Sequence, residues 1–170
     1  IDDALALGLA LNSPELKVVA VNTVLQRGDR RADLTYRILE LYGRTDIPVG
    51  VGAETTLLGK PNDNAVKQTE ALAADYRMPA TKRHNGIQLL IDTVMNSREK
   101  VTLLAYGPLT NVALALRAEP RMARNLERIV LMNGVFFRPG LEYNTYRDPE
   151  ASQIVYNSGV PIVTVGLDVT

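Results

Sequence analysis

Two adjacent carboxylates, Asp2 and Asp3, open the sequence IDDALALGLA and run straight into an apolar stretch of helix-forming residues. Neighbouring helix positions diverge by about 100°, so one carboxylate can hold a cation while the other faces a substrate. A divalent metal beside the pair also helps keep both ionised, and hard oxygen donors suit Ca2+ or Mg2+. Taken alone, the same pair is what any helix start favours, because acidic side chains complement the free N–H groups and the positive end of the dipole. YGPLTN (106–111) lies where a strand hands over to a helix, with Thr110 or Asn111 near the N-cap. A bend there can also turn a backbone carbonyl outward as a cation ligand. In EYNTYRDPEA (142–151), Glu142 and Asn144 are two apart in a segment read as extended, so their side chains share one face and can hold the hydroxyls of a sugar together. Asp148 and Pro149 read as a cap followed by proline in the first helical turn.

Composition narrows the chemistry. The 170 residues carry 19 Lys plus Arg against 19 Asp plus Glu, so no global field draws the protein to nucleic acid or a membrane surface, and small neutral ligands are the expected partners. With no cysteine there is no disulfide, thiolate metal site or thiol nucleophile, which suits a reducing compartment, and the expected location is cytoplasmic. Gly59-Lys60 is followed by Pro61 and so is no P-loop. No G-x-S-x-G elbow serves an acyl hydrolase. RGD at 27–29 is too short to carry weight, and the single histidine, His84, reads as a surface or capping residue.

The elements that must position these groups alternate. Periodicity predicts a helix over 2–12, a β-branched strand over 17–24, and a helix over 30–44 with Leu34, Ile38 and Leu41 on one face. A short strand follows at 48–52, then a polar irregular stretch over 53–83 with breakers Pro61, Asn62, Asp63, Asn64 and Pro79, read as a long loop holding one short helix. Next come a helix over 85–96, a strand over 101–107, a helix from Leu109 interrupted by Pro120, a strand over 128–135, a helix opened by Asp148-Pro149, and a strand over 161–169. Apolar strands separated by amphipathic helices argue for an α/β fold, an open, doubly wound, mostly parallel sheet with helices on both faces. Ligands of such folds bind beyond the carboxyl ends of the strands. One domain is expected over 1–170, and a chain opening on Ile1 reads as a segment.

Together DDALAL, GPLTNVALAL (107–116), IVLMNG (129–134), EYNTYRDPEA and SGVPIVTVGLDVT (158–170) resemble, in order and spacing, the amino-terminal part of the inosine-uridine preferring nucleoside hydrolases. The likeness is weakest over 53–83. It implies hydrolysis of the N-glycosidic bond of a ribonucleoside to free base and ribose, with a Ca2+-activated water attacking the anomeric carbon while an aspartate accepts its proton. On this resemblance Asp2 and Asp3 are the catalytic pair, Asp3 a direct Ca2+ ligand, and Thr110 a second ligand through its backbone carbonyl. Asp2, Glu142 and Asn144 would bind the ribose. The resemblance further implies a small-molecule ribonucleoside as partner, a homo-oligomer when complete, and a chain truncated at both ends. The family's earlier aspartate would precede Ile1, and a further calcium ligand and an acid histidine would follow Thr170, so this segment alone is expected to be inactive.

The chain departs from the family where many members carry Gly-Asn after the second strand, here LQRGD, so that Gly28-Asp29 correspond only with a shift. It departs again at FFRPG (136–140) and at Asn133, where Gly is common; the 5′-hydroxyl contact and base preference turn on these loops. Two other readings stand beside the enzyme: a non-catalytic relative that binds ribosides or a metal, and a metal-dependent phosphohydrolase.

Overall fold

The computed structural model describes residues 2–60 and 67–169. The expected breakers Pro61, Asn62, Asp63 and Asn64 lie outside the described residues. Helix α1 (Asp2–Asn12) leads to β1 (Val21–Thr23), α2 (Gly28–Leu41) and β2 (Val49–Val51). Two 3-10 turns, Lys67–Ala71 and Ala80–Lys82, precede β3 (Arg83–Asn85) and α3 (Gly86–Met95). Then come β4 (Val101–Ala105), α4 (Thr110–Ala118), α5 (Met122–Asn125), β5 (Leu126–Met132), α6 (Tyr143–Arg147), α7 (Pro149–Tyr156) and β6 (Ile162–Val165), closed by a 3-10 turn at Leu167–Val169. Every strand pairing is parallel, as alternating strand and helix require. Among the described residues the strands form two three-stranded sheets, ordered β1-β2-β3 and β4-β5-β6.

The first sheet has a helix on each face. Ala32, Tyr36 and Leu39 of α2 bury with Ile47, Val49 and Met78. On the opposite face α3 approaches so closely that a Cβ on Gly50 would stand 2.7 Å from the Gly86 Cα and overlap the Asn22 side chain. Only glycine permits that contact. In the second sheet Leu90, Val94, Val112, Ala115, Met122, Ala151 and Val155 pack from α3, α4, α5 and α7 onto Ile129 and Leu131 in one cluster. The other face of that sheet leaves Leu104, Val163 and Val165 exposed. Helix α3 packs against both β2 and α4 and so joins the two cores. No helix among the described residues is long and apolar enough to cross a membrane.

Several expectations shift. The face of α2 that enters the core is Ala32, Tyr36 and Leu39 rather than Leu34, Ile38 and Leu41, and Leu41 is exposed. The cause is a buried ion cluster. Asp33, fully buried, accepts from Arg30 Nη1 at 3.0 Å, from Arg83 Nη2 at 2.6 Å and from the Met78 N–H at 3.1 Å. This turns the polar residues of α2 inward and ties the helix to the segment before β3. Glu142 and Asn144 do not share an extended segment: Glu142 is extended (φ −88°, ψ 135°) and caps α6, while Asn144 lies in that helix. His84 is exposed in β3, beside the Asn85 that caps α3.

Candidate active site

Asp2 and Asp3 occupy the first turn of α1, as expected, and both are exposed. Protein packed around the Asp3 carboxyl nonetheless holds it above its ordinary value, through desolvation first and the charge of Asp2 second, and Arg31 does not cancel this. Burial pushes the Arg31 guanidinium down while Asp3 and Tyr143 pull it up, so the start of α1, the first turns of α2 and the start of α6 share one electrostatic environment. Tyr106, just beyond β4, joins it: its phenol is raised by burial and then by the charge of Asp3.

From Tyr106 the site continues through hydrogen bonds. Asn144 Nδ2 donates to the Tyr106 carbonyl at 3.1 Å and to the Met132 carbonyl, at the end of β5, at 2.9 Å. Its N–H groups are thereby committed, and the amide has its carbonyl oxygen, an acceptor, left to offer a ligand hydroxyl. Glu142 is 3% exposed and heavily engaged. Its Oε1 accepts from the Asn144 N–H at 2.7 Å, and its Oε2 accepts from the Thr145 N–H at 2.8 Å, the Thr145 hydroxyl at 2.9 Å and the Gly134 N–H at 3.0 Å. Glu142 therefore caps α6 and fastens that helix to the end of β5, and so aims Asn144.

Thr110, the first residue of α4, is fully buried, and its hydroxyl donates to Asp148 Oδ2 at 2.6 Å. Asn111 crosses between the sheets. Its Nδ2 donates to the Thr23 carbonyl at the end of β1 at 2.8 Å, and its Oδ1 accepts from the Ala53 N–H after β2 at 2.9 Å. Hydrogen bonds thus gather Thr110, Glu142 and Asn144 just beyond the carboxyl ends of β4 and β5, where a parallel fold binds its ligands, and Asp3 joins them only through the electrostatic environment it shares with Arg31 and Tyr106. The roles of Asn111, and of the second Asp148 oxygen, were not visible in a linear reading, because their partners lie 38 to 91 residues away.

The turn after β1 is also not where Gly28-Asp29 would put it, since those residues already belong to the first turn of α2. Leu25, Gln26 and Arg27 form it instead, with φ of 55°, 20° and 52°. Three consecutive side-chain-bearing residues with positive φ are strained, at roughly 1 kcal/mol or more each. Hydrogen bonds to the loop after β2 hold them there: Leu25 N–H to the Ala53 carbonyl at 2.6 Å and Gln26 N–H to the Glu54 carbonyl at 3.1 Å.

For a hard cation, the Asp3 carboxylate and the Thr110 main-chain carbonyl are donors of the right kind. They do not suffice in number, because no group of three or more His, Cys, Asp or Glu among the described residues is placed to hold a metal, whereas Ca2+ takes about six to eight oxygens. A cavity of about 560 Å3 opens elsewhere, at β6, between Phe136, Phe137, Tyr156, Ile162 and Val169. Its aromatic walls carry no carboxylate, and the acidic chemistry lies at α1 and α6 instead.

The family model for inosine-uridine preferring nucleoside hydrolases matches residues 1–170. A pyrimidine-specific ribonucleoside hydrolase of Citrobacter koseri is 40% identical over 99% of this chain, and its counterpart in an Enterobacter species is 41% identical. Among solved structures, a plant nucleoside hydrolase superposes with a TM-score of 0.84 at 32% identity over 98% of the chain, and an inosine-guanosine nucleoside hydrolase with 0.84 at 26% over 99%. The chain spans about 57% of the length of each of these relatives. On the family model over the whole chain and relatives of this identity, the chain belongs to the inosine-uridine preferring nucleoside hydrolase family.

Proposed function

We propose that this chain carries the amino-terminal part of a site that hydrolyses the N-glycosidic bond of a ribonucleoside to free base and ribose. The observation that carries the reading is the family match over residues 1–170 together with the buried cluster of Thr110, Glu142 and Asn144 beyond β4 and β5, with the acidic first turn of α1 in the same electrostatic environment. When bound there, Ca2+ would supply a lowered pKa for a coordinated water and a template for its position, held by Asp3 and the Thr110 carbonyl with further donors from outside this chain. Asp2, on the same helical turn but diverging from Asp3, accepts hydrogen bonds from the ribose hydroxyls, and the aspartate pair takes up the proton of the attacking water. Asn144 offers its carbonyl oxygen to a hydroxyl. Glu142, its oxygens engaged by N–H groups, positions Asn144 and contributes negative charge. As the bond to the base breaks, positive charge develops on the ribose ring, and carboxylates around it favour that state over the ground state.

Uridine is the first substrate to try, because relatives about 40% identical are named pyrimidine-specific. The test is release of free base from uridine and inosine with millimolar Ca2+, comparing this segment with the complete reading frame that contains it. Base release by the complete protein, with little or none from the segment, is expected. Equal turnover by both would refute the placing of essential groups outside the chain, and no base release by the complete protein would refute the reaction.

A further inference from the structure

We propose that Asp148 is a positioning residue of this site, setting the main chain at Thr110 and bolting the loop after β2 to it; the proposal rests on the reading of Thr110 as a cation ligand. A capping aspartate needs one acceptor oxygen, and Oδ1 of Asp148 serves that purpose, accepting from the Ala151 N–H at 3.1 Å at the start of α7. The other oxygen is spent away from its own helix. Oδ2 accepts from the Thr110 hydroxyl at 2.6 Å and from the Leu57 N–H at 2.9 Å, all within a fully buried residue. Charge-assisted bonds of this length in a desolvated place are strong and directional. They leave the β-branched Thr110 side chain a single orientation, and with it the backbone of the first turn of α4.

The neighbouring residue completes the joint. Asn111 holds the Ala53 N–H and the Thr23 carbonyl, so the stretch from Ala53 to Leu57 is fixed at one end to Asn111 at the start of α4 and at the other to Asp148 at the cap of α7. The same stretch supplies the Ala53 and Glu54 carbonyls that hold the strained turn at Leu25 and Gln26. One buried carboxylate therefore links the Thr110 backbone, the loop after β2 and, through that loop, the turn after β1. Capping alone would leave Oδ2 without a reason to face α4.

Thr110→Val tests this cleanly, since it keeps the shape, the main-chain carbonyl and the Asp148 cap while deleting the hydroxyl. In the complete protein, calcium binding is measured by titration calorimetry without substrate, beside the thermal midpoint without calcium. The calcium Kd is expected to rise about tenfold or more, the scale of one lost charge-assisted hydrogen bond. Thr110→Ser, which restores the hydroxyl, should recover most of that loss. A merely structural hydroxyl would lower the thermal midpoint and leave calcium Kd alone. A Val variant that binds calcium within twofold of the parent would overturn the positioning role while the proposed function stands; a parent that binds no calcium would overturn both. Should Thr110→Val fail to fold, Asp148→Asn carries the same measurement, because its amide can cap α7 or hold the Leu57 N–H but not both, and an unchanged calcium Kd there would equally overturn the proposal.

Discussion

Replacing Glu142 by Gln should destabilise the protein nearly as much as replacing it by Ala. If the carboxylate served chiefly to accept hydrogen bonds from ribose hydroxyls, an amide of the same shape would be a mild change that raised KM. The structure points the other way, because the oxygens are already engaged by the Asn144, Thr145 and Gly134 N–H groups and the Thr145 hydroxyl. Glutamine brings one acceptor and one donor to a place that presents backbone donors on both sides, so its NH2 must face an N–H wherever it turns. Losing the helix cap costs about 1 kcal/mol, and stranding a buried donor adds about 1 to 3 kcal/mol. Gly134 N–H keeps the Thr145 hydroxyl as an alternative acceptor at 3.1 Å, which limits the total. The sum is about 3 kcal/mol for Ala and about 2 kcal/mol for Gln. Urea unfolding of the complete protein, with Glu127→Ala as an exposed control, reads it directly. Unchanged stability in Glu142→Gln together with a raised KM would show that the carboxylate faces the substrate and that its role as a cap has been overweighted.

Asp33→Leu should cost about 3 kcal/mol, because it leaves the nine-tenths-buried Arg30 side chain without its countercharge, though Arg30 still donates to the Tyr76 carbonyl. Arg83→Ala, at the more exposed end of the cluster, should cost about 1 kcal/mol; a loss in unfolding midpoint as large as that of Asp33→Leu would show that the Arg83 pair is not screened by solvent as its exposure implies. Asp168 accepts from the Phe137 and Phe136 N–H groups, which hold its carboxyl below the ordinary 3.8. A depressed folded-state carboxyl contributes stability that is present above its unfolded value and lost as pH falls through the folded one, so the Phe136 and Phe137 amide resonances should shift with a midpoint below 3.8. A midpoint at or above 3.8 would mean that the carboxylate does not clasp this loop.

Alternation of β-branched runs with amphipathic stretches was enough to expect a parallel α/β fold and five of the six described strands, because those signals are local; β3, three residues at the end of the stretch read as a loop, carried no such signal. The face of α2 was not legible in the same way. Counting apolar residues favours Leu34, Ile38 and Leu41, but the helix is rotated by Asp33, whose partners Met78 and Arg83 stand 45 and 50 residues away. Helix α6 escaped for a related reason. Five residues are too few to show a period, and their helix is set by the Glu142 cap and its bond to Gly134 across the loop. The turn at 25–27 was masked by chemistry of the opposite kind: nothing about Leu, Gln and Arg announces positive φ, and the Ala53 and Glu54 carbonyls that impose it belong to another strand's loop.

The same consideration separates one carboxylate from another. In the sequence Asp3, Asp33, Glu142, Asp148 and Asp168 are equivalent acids in a chain of zero formal net charge. In the fold Asp33 is neutralised by two guanidiniums, Glu142 and Asp148 are spent on buried N–H groups, and Asp168 accepts from the N–H groups of the exposed loop at Phe136 and Phe137. Each has become part of the framework that holds α2, α6, α7 and the loop at 136–140. Asp3 differs. Its surroundings raise its carboxyl, by desolvation and by a second carboxylate on the adjoining residue, and the pull of Arg31 leaves that rise in place. A cation or a developing positive charge beside such a carboxyl would favour its ionised form. On the proposed function, that is the property that sets the pair at the start of α1, ambiguous as a sequence, apart from acids already engaged by the framework.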